Sequence, residues 1–318
     1  MIGRIQLINQ LPNYPITQSP NSTAERPDHR EASAVGRRAR LDLVFAYRRG
    51  RTVLRDAYAE PPFRVGKSLD AGRYAYVILG CTGPGVFAGD ALQTHVRVER
   101  GARVLLVSQA ALQVHHAGSD LAGYNRGDEE SGRGWTGWNA SRAVMESQYD
   151  VEVDGELDCQ WDPVIPFAGA RLTQRIDLRI ACGSRLFWSD ALIAGRVGRG
   201  EAWRFDELGH ELRLSVDGSL TYLERYRLTP AWQAVARPWI AGSAHYAGTT
   251  LVHHEDATAA CAEHLQQQLN GINEVRAGVD GLAPGLLVGR LLGTRGPQFA
   301  AARAAFRQIF ARPMTRRV

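Results

Sequence analysis

Lysine is almost absent from this sequence: Lys67 is the only one, although 38 basic residues stand against 33 acidic ones. Arginine therefore carries nearly all of the positive charge, and the net charge is +5. The arginines interleave with strand-like alternation, and no signature of a nucleic-acid-binding module accompanies them. We interpret them as a solvated surface and predict that nucleic acid is not a partner.

Cysteine and long apolar runs are also scarce. The four cysteines form no C-x-x-C pair, which argues against a structural zinc site or a disulfide framework and predicts reduced thiols. No run approaches the ~18 apolar residues of a membrane span. Asn, Gln and Pro interrupt the first 15 residues, so no continuous apolar signal core is present. We predict a cytoplasmic protein without a membrane partner. The cysteines are Cys81, Cys159, Cys182 and Cys261.

Strand-like alternation, by contrast, runs through most of the chain. Apolar residues recur with a period of two from Leu41 to Tyr47, and a turn at Arg48-Arg49-Gly50 precedes a returning strand. Four later segments repeat a strand, a tight turn ending in glycine and a second strand. Asp154-Gly155 and Asp217-Gly218 predict type I′ hairpin turns in two of them. These repeated strand pairs predict a mainly β fold. The four segments are VRVERGARVLLV, VEVDGELDCQW, LRIACGSRLFW and LSVDGSLTYLE.

About two helices are predicted in the C-terminal third. Asp256 is the expected cap of the first, and Pro297 suits the first position of the second. Each helix has one apolar face. The face of the first comprises Cys261, Leu265 and Leu269, and that of the second Phe299, Ala302, Phe306, Ile309 and Phe310.

The domain organisation follows from composition. Residues 1–38 are predicted to be a disordered tail, because 9–34 are polar and rich in Pro, Ser and Asn. A single β-rich domain is expected over 39–312, with an insertion at about 118–143 and a short tail at 313–318. Trp135 and Trp138 lie within that insertion.

The loop that follows VILGC satisfies G-x-G-x-x-A, the dinucleotide-binding fingerprint, at Gly83, Gly85 and Ala88. Such a site needs a helix that starts at the loop, whereas the following residues alternate like a strand. Pro84 also removes an amide where phosphate would need one. We therefore interpret the loop as a turn between strands. The alternative, a nicotinamide-dependent oxidoreductase, requires a helix opening at about residue 86.

Three stretches resemble the urease accessory protein family known as UreD or UreH. GPGVFAGDALQTHVRVERGARVLL resembles P-x-G-G-x-x-G-G-D followed by V-x-V-x-x-G-A, and a later stretch matches D-x(4)-G-R-x(3)-G-E. LTYLERYRLTP resembles the family's E-R-x-x-L segment. The resemblance covers about residues 39–312. Its motif positions are Gly85, Gly89, Asp90, Gly101, Asp190, Gly195, Arg196, Gly200, Glu201, Glu224 and Arg225.

The chain also departs from that family at several points. Ala88 stands where the family has a glycine, and SQAALQV replaces the usual T-P-G-A-T-K. In the segment that is usually L-E-W-L-P-Q-E, Asp158 can stand for the first glutamate, while Pro163 occupies the place of the second. A C-terminal P-R-x-W element is missing.

The resemblance implies a two-layered, β-helix-like stack of hairpins with a few helices and no catalytic activity. It implies binding to UreF, through it to the GTPase UreG, and docking on the urease apoprotein during nickel insertion. No cofactor is expected to stay bound, and nickel is expected only in transit. Ni²⁺ in transit needs oxygen or imidazole ligands that release it. Asp90, Asp190 and Glu201 are the candidate acids along such a path; the alternative is that all three are turn-forming or ion-paired, with Glu201 bridging to Arg196.

Two further features leave alternatives open. The adjacent pairs His115-His116 and His253-His254 lie on predicted strands, where neighbouring side chains point to opposite faces, so neither pair can chelate one metal ion. A carbohydrate-binding β module would use Trp135 and Trp138 as a stacking platform. No catalytic motif is present, which agrees with a scaffold rather than an enzyme.

Overall fold

The computed structural model describes residues 36–116, 142–229 and 241–310, and over these it contains eighteen strands, two α-helices and one 3-10 turn. The first strands are β1 Arg38–Arg48, β2 Arg51–Ala59, β3 Phe63–Val65, β4 Leu69–Ala71, β5 Tyr74–Cys81, β6 Ala91–Val98, β7 Arg103–Ser108, β8 Leu112–Val114 and β9 Ala143–Val151. The later strands are β10 Glu156–Gln160, β11 Val164–Pro166, β12 Arg171–Ile180, β13 Arg185–Ile193, β14 Glu207–Val216, β15 Ser219–Leu228, β16 Tyr246–His253, β17 Val275–Ala283 and β18 Leu286–Gly293. The helices are α1 Ala259–Asn270 and α2 Gly296–Phe310, and the 3-10 turn is Val197–Arg199.

Two sheets form the body, as the predicted two-layered β stack requires. The seven-stranded sheet has the order β15-β14-β12-β9-β6-β1-β2. The eleven-stranded sheet has the order β17-β18-β16-β13-β10-β7-β5-β3, with β4, β8 and β11 attached at its margins. The central strands of both sheets run parallel, and antiparallel strands close the ends. The predicted fold class, mainly β with two helices near the C-terminus, is confirmed.

The connections between strands differ from the predicted hairpins at three of the four repeated segments. β6 and β7, β9 and β10, and β12 and β13 each belong to different sheets, so their turns carry the chain across the stack. At Asp154-Gly155 only Asp154 has a positive φ, 59°, whereas a type I′ turn needs two such residues. The predicted hairpin there is wrong. Alternation could not reveal this, because it buries one face of a strand equally well in a hairpin and in a connection that crosses between the sheets.

The fourth segment does form the predicted hairpin. Asp217 and Gly218 have φ values of 47° and 80°, and Val216 pairs with Ser219 across the turn between antiparallel β14 and β15. The turn between β1 and β2 has the same character, with positive φ at Arg49 and Gly50.

The glycine loop after β5 contains no helix. Val86 makes an isolated bridge to Val114, and the next regular element is the strand β6. An isolated bridge and a turn therefore stand where a dinucleotide site would need a helix, at about residue 86. The oxidoreductase alternative requires that helix and is excluded.

Both helices cover the outer side of the eleven-stranded sheet. The predicted apolar stripe of α2 is buried in full. In α1, Leu265 and Leu269 are buried and Cys261 is partly buried. The cap of α1 is Thr258 rather than the predicted Asp256: its hydroxyl accepts a hydrogen bond from the Cys261 amide, which lies three residues further on, the spacing that N-capping requires. Within the described ranges, neither helix is long and apolar enough to cross a membrane.

Several predictions concern residues outside the described ranges. The N-terminal tail up to residue 35, the insertion up to residue 141 and the C-terminal tail at 313–318 all fall there. Trp135 and Trp138 belong to this group, so the predicted stacking platform stays a prediction.

Gly289 of β18 tests how tightly α2 packs on the sheet. A Cβ atom at this position would lie 2.0 Å from Cζ of Phe306. We expect Gly289→Ala to lower the free energy of unfolding by about 1–3 kcal/mol, because the core must shift to admit the methyl group. Urea denaturation measures this loss. Gly209→Ala, where the nearest atom would be 3.6 Å away, is the matched control and should stay within about 0.5 kcal/mol of wild type. An equal loss in both variants would contradict the tight contact.

Candidate functional site

A polar layer interrupts the apolar interior between the two sheets. On β13, the inward residues Trp188 and Leu192 belong to two separate apolar clusters, and Asp190 lies between them. On β14, His210 lies in the same way between Leu208 and Leu212. Alternation along each strand explains the placement, because every second residue faces the interior. We call this set the polar layer; it comprises Gln174, Asp190, His210, Glu224 and Thr249.

Glu224 joins the two sheets within this layer. The hydroxyl of Thr249 on β16 lies 3.0 Å from both carboxylate oxygens, and the Tyr222 hydroxyl donates to Oε2 at 2.6 Å. Arg290 Nε on β18 lies 3.4 Å from Oε2. Burial alone would lower the pKa of Arg290, but the neighbouring Glu224 and Tyr222 outweigh burial and raise it. The Glu224 carboxylate therefore lies at the centre of a hydrogen-bonded network that spans both sheets.

Asp190 has fewer partners. Its Oδ2 accepts one hydrogen bond, from Trp188 Nε1 at 3.2 Å. Burial raises the pKa of Asp190; His210 opposes the rise, and the negative charge of Glu224 reinforces it. The His210 ring stacks on Tyr226, with ring centroids 4.9 Å apart, and its Nδ1 lies 3.4 Å from Oε1 of Gln174.

The layer offers the ligand types that a borderline divalent metal accepts, namely carboxylate oxygen and imidazole nitrogen. Within the described part of the chain, however, His, Cys, Asp and Glu side chains form no group of three or more with the spacing to hold a metal ion.

Asp90 lies elsewhere, at the end of the glycine loop, and arginine engages it. Its side chain is 1% exposed, accepts from the backbone amides of Arg37 at 2.8 Å and Phe87 at 2.9 Å, and pairs with the Arg37 guanidinium. Burial by itself would raise the pKa of Asp90, but the bonds from Arg37 and Phe87 outweigh it and hold the pKa below its ordinary value. The motif glycines serve this loop: Gly85 has a φ of 134°, and a Cβ there would lie 2.3 Å from the Gln113 carbonyl oxygen.

Glu201 is also engaged by arginine, as the ion-paired interpretation supposed. Its Oε2 accepts from Arg196 Nε at 2.7 Å, and hydrogen bonding to Arg196 lowers the pKa of Glu201. The Arg196 guanidinium in turn lies 4.1 Å from the centre of the Phe167 ring. The flanking glycines Gly195 and Gly200 both have positive φ, 111° and 72°.

The three candidate acids thus occupy three separate places and share no hydrogen-bond partner in the described structure. Of the other motif residues, Arg225 pairs with Glu211 on the outer face of the seven-stranded sheet at 2.7 Å, and Gly101 lies in the turn between β6 and β7 with a φ of 71°. His210 and Thr249 were not predicted. A signal for His210 did exist: in ELGHELRLSV it is a polar residue on the face otherwise formed by Leu208, Leu212 and Leu214.

The adjacent histidines are used separately. His115 stacks on Phe87 with ring centroids 4.5 Å apart, and its Nε2 lies 2.8 Å from the Pro84 carbonyl oxygen. His253 faces the Ser184 carbonyl oxygen, whereas His254 is buried and its Nδ1 accepts from the Asp256 amide at 2.9 Å. The two members of the second pair thus contact different groups, and the expectation that neither pair chelates one metal ion stays a prediction.

Two stacked sheets with parallel central strands, connections that cross between the sheets and a polar layer in the interior define a two-layered β-stack protein. The family model described as UreD urease accessory protein matches residues 37–317. The chain therefore belongs to the UreD family, and the resemblance inferred from its motifs is confirmed.

Relatives in several bacteria support this assignment. The chain is 35% identical to the urease accessory protein UreD of Sorangium cellulosum over 219 residues, which is 69% of this chain and 63% of that protein. It is 30% identical to UreD 2 of Streptomyces griseus over 217 residues, 67% of this chain and 66% of that protein. It is 28% identical to UreD of Halalkalibacterium halodurans over 253 residues, 78% and 84% of the two chains. The match spans just under two thirds of the first two relatives.

Removing the Asp90 carboxylate should destabilise the glycine loop. We expect Asp90→Ala to lower the free energy of unfolding at neutral pH by about 2 kcal/mol, because charged hydrogen bonds are lost. The difference from wild type should shrink as the pH falls. Because the pKa of Asp90 is lowered in the folded chain, the carboxylate stabilises the fold in full above its unfolded pKa of about 3.9. This stabilisation is lost as the pH falls through the folded pKa. Chemical denaturation at several pH values measures it. Asp177→Ala, on the outer face, is the control, and an equally large loss there would contradict the assignment.

His254 should make stability depend on pH. Burial, together with the charge of Arg185, lowers its pKa to about 4. Because only the unfolded chain then takes up a proton between about pH 6.5 and pH 4, stability is full above that window and falls by up to about 3 kcal/mol across it. We expect His254→Gln to flatten this part of the stability profile, whereas His264→Gln on the exposed side of α1 should keep the wild-type slope. A profile unchanged by His254→Gln would show that other groups set the dependence.

Proposed function

We propose that this chain is a scaffold in urease maturation: it binds UreF, recruits the GTPase UreG through UreF, and docks on the urease apoprotein to assist nickel insertion. Membership of the UreD family is the observation that carries the proposal. The names of the relatives describe accessory proteins, which favours a non-catalytic role. The cytoplasm stays the predicted compartment.

The polar layer supports a passage for the metal as cargo. Ni²⁺ binds oxygen and imidazole ligands and must be released again, which a closed cage would hinder. Asp190 and His210 face the same interior from opposite sheets, and His210 and Glu224 both influence the pKa of Asp190. Among the three predicted acids, Asp190 is the one whose surroundings suit transient binding, because no arginine forms a hydrogen bond with it in the described structure.

Asp90 and Glu201 stay candidates of a different kind. Each carboxylate is already paired, Asp90 with Arg37 and Glu201 with Arg196. Nickel could use either of them only by displacing a guanidinium group, so both are better suited to holding their loops in place. The carbohydrate-binding alternative depends on Trp135 and Trp138, and no observation favours it.

Restoration of urease maturation tests the proposal. In cells that express the matching urease operon without its own D gene, the wild-type chain should restore urease activity and the nickel content of urease. We expect Asp190→Ala to lower both several-fold at limiting nickel, because the layer loses its least engaged carboxylate, and excess nickel should recover much of the loss.

Asp177→Ala is the matched control, since it removes a carboxylate from the solvent face of β12. Co-purification with UreF must be retained in both variants, so that a loss of assembly is not mistaken for a loss of nickel transfer. Failure of the wild-type chain to restore activity would contradict the maturation role. Normal nickel content with Asp190→Ala at limiting nickel would contradict the metal path alone.

A further inference from the structure

The outer faces of the two sheets differ in chemistry. On the seven-stranded sheet, the outward side chains of the central strands form ion pairs with one another. Arg175 Nη1 lies 2.9 Å from Glu146 Oε1, and Arg97 Nε lies 3.0 Å from Glu152 Oε1. This face neutralises its own charge and is suited to water.

The outer side of the eleven-stranded sheet has two apolar regions, which the outward carboxylates Glu156 and Asp158 of β10 separate. The helices α1 and α2 cover part of it, and Phe187, Val252 and Leu287 lie beneath them. On the far side of β10, outward apolar side chains of β4, β5 and β7 form the second region. We call these five the β5–β7 face; they are Leu69, Tyr76, Ile78, Leu105 and Val107.

Strand register makes this face continuous. Tyr76 lies opposite Leu69 on one side and Leu105 on the other, and Ile78 lies opposite Val107. On β5 and β7 the neighbouring residues point into the inter-sheet core, so the face residues of these two strands must point outward. Leu69 lies on the same side because it is the cross-strand partner of Tyr76. Leu69 is 47% exposed and the other four are partly buried. A contiguous apolar patch of this kind marks an interaction site more often than a solvated surface.

Arginine borders the face. Arg73 and Arg103 pair with Glu156 at 3.0 and 3.1 Å, and Arg307 of α2 pairs with Asp158 at 2.8 Å. The two carboxylates are buried, whereas the three arginine side chains are 33–40% exposed. Solvent therefore meets positive charge along this border.

The opposite end of the face also carries positive charge. Arg64 is exposed there, opposite Gly80 and beyond Ile78. Both ends thus present guanidinium groups around an aliphatic and aromatic centre. A second copy of the chain docked symmetrically on this face would bring the same positive borders together, which opposes self-association.

We propose that the β5–β7 face docks an apolar stripe flanked by carboxylates on a partner protein. The inference rests on the proposed function, which supplies UreF as that partner. The apolar centre provides the buried contact, and the arginine borders select an acidic rim and fix its register.

Binding of purified UreF from the same operon tests the inference. Two variants place a carboxylate on the face: Leu69→Glu, at its most exposed position, and Leu105→Glu, at its centre. We expect each variant to raise the dissociation constant by about tenfold or more. Leu223→Glu is the matched control, because Leu223 is 37% exposed on the outer face of the seven-stranded sheet, and it should bind within about twofold of wild type. Added salt should weaken wild-type binding, since exposed arginines contribute.

The outcomes separate the two proposals. If the wild-type chain does not bind UreF, the proposed function fails. If it binds, and both face variants keep the wild-type melting temperature and the wild-type affinity, the docking surface is overturned while the proposed function stands. A wild-type dimer in light scattering that Leu69→Glu converts to a monomer would also overturn it, because a second copy would then be the occupant.

Discussion

The structure depends on the burial of one face of every central strand in a single interior shared by two sheets. The two sheets meet there: Leu212 comes from β14 of the seven-stranded sheet, and Trp188 and Leu251 come from β13 and β16 of the eleven-stranded sheet. Burial of this apolar surface is the dominant favourable contribution to folding. It also explains the arched connections, since a chain that crosses from sheet to sheet adds to both layers of the same core.

The polar layer is the exception to this constraint and is tolerated because its groups satisfy one another. Burying a carboxylate without partners would cost on the order of several kcal/mol, or the group would become protonated instead. Glu224 has such partners: it accepts hydrogen bonds from Tyr222 and Thr249 and lies beside Arg290. Asp190, with one hydrogen bond, from Trp188, is the less satisfied member.

The three surfaces of the stack differ in chemistry in a way that suits a scaffold. The seven-stranded sheet faces water with paired charges, the helices close part of the other sheet, and the β5–β7 face is left apolar between arginines. The loop residues of the family motifs fix the ends of the stack: Arg37 holds Asp90, and Arg196 holds Glu201. The loop residues among the motif positions are therefore architectural, whereas Asp190 and Glu224 of the same motifs lie on strands, in the polar layer.

Local sequence alone determined the strands, the turn at Asp217-Gly218, the buried stripe of α2 and the family, because these depend on alternation, backbone conformation and short motifs. Tertiary structure decided whether a strand pair was a hairpin or an arch: β6 pairs with β1 and β9, which are distant in sequence, and alternation is the same in both cases. Tertiary structure also decided which acids are paired with arginine, because the partner of Asp90 is Arg37, which lies 53 residues away in the sequence. The polar layer and the β5–β7 face form only where separate strands meet, so the sequence of one strand can mark a member such as His210 but not the residues that it meets.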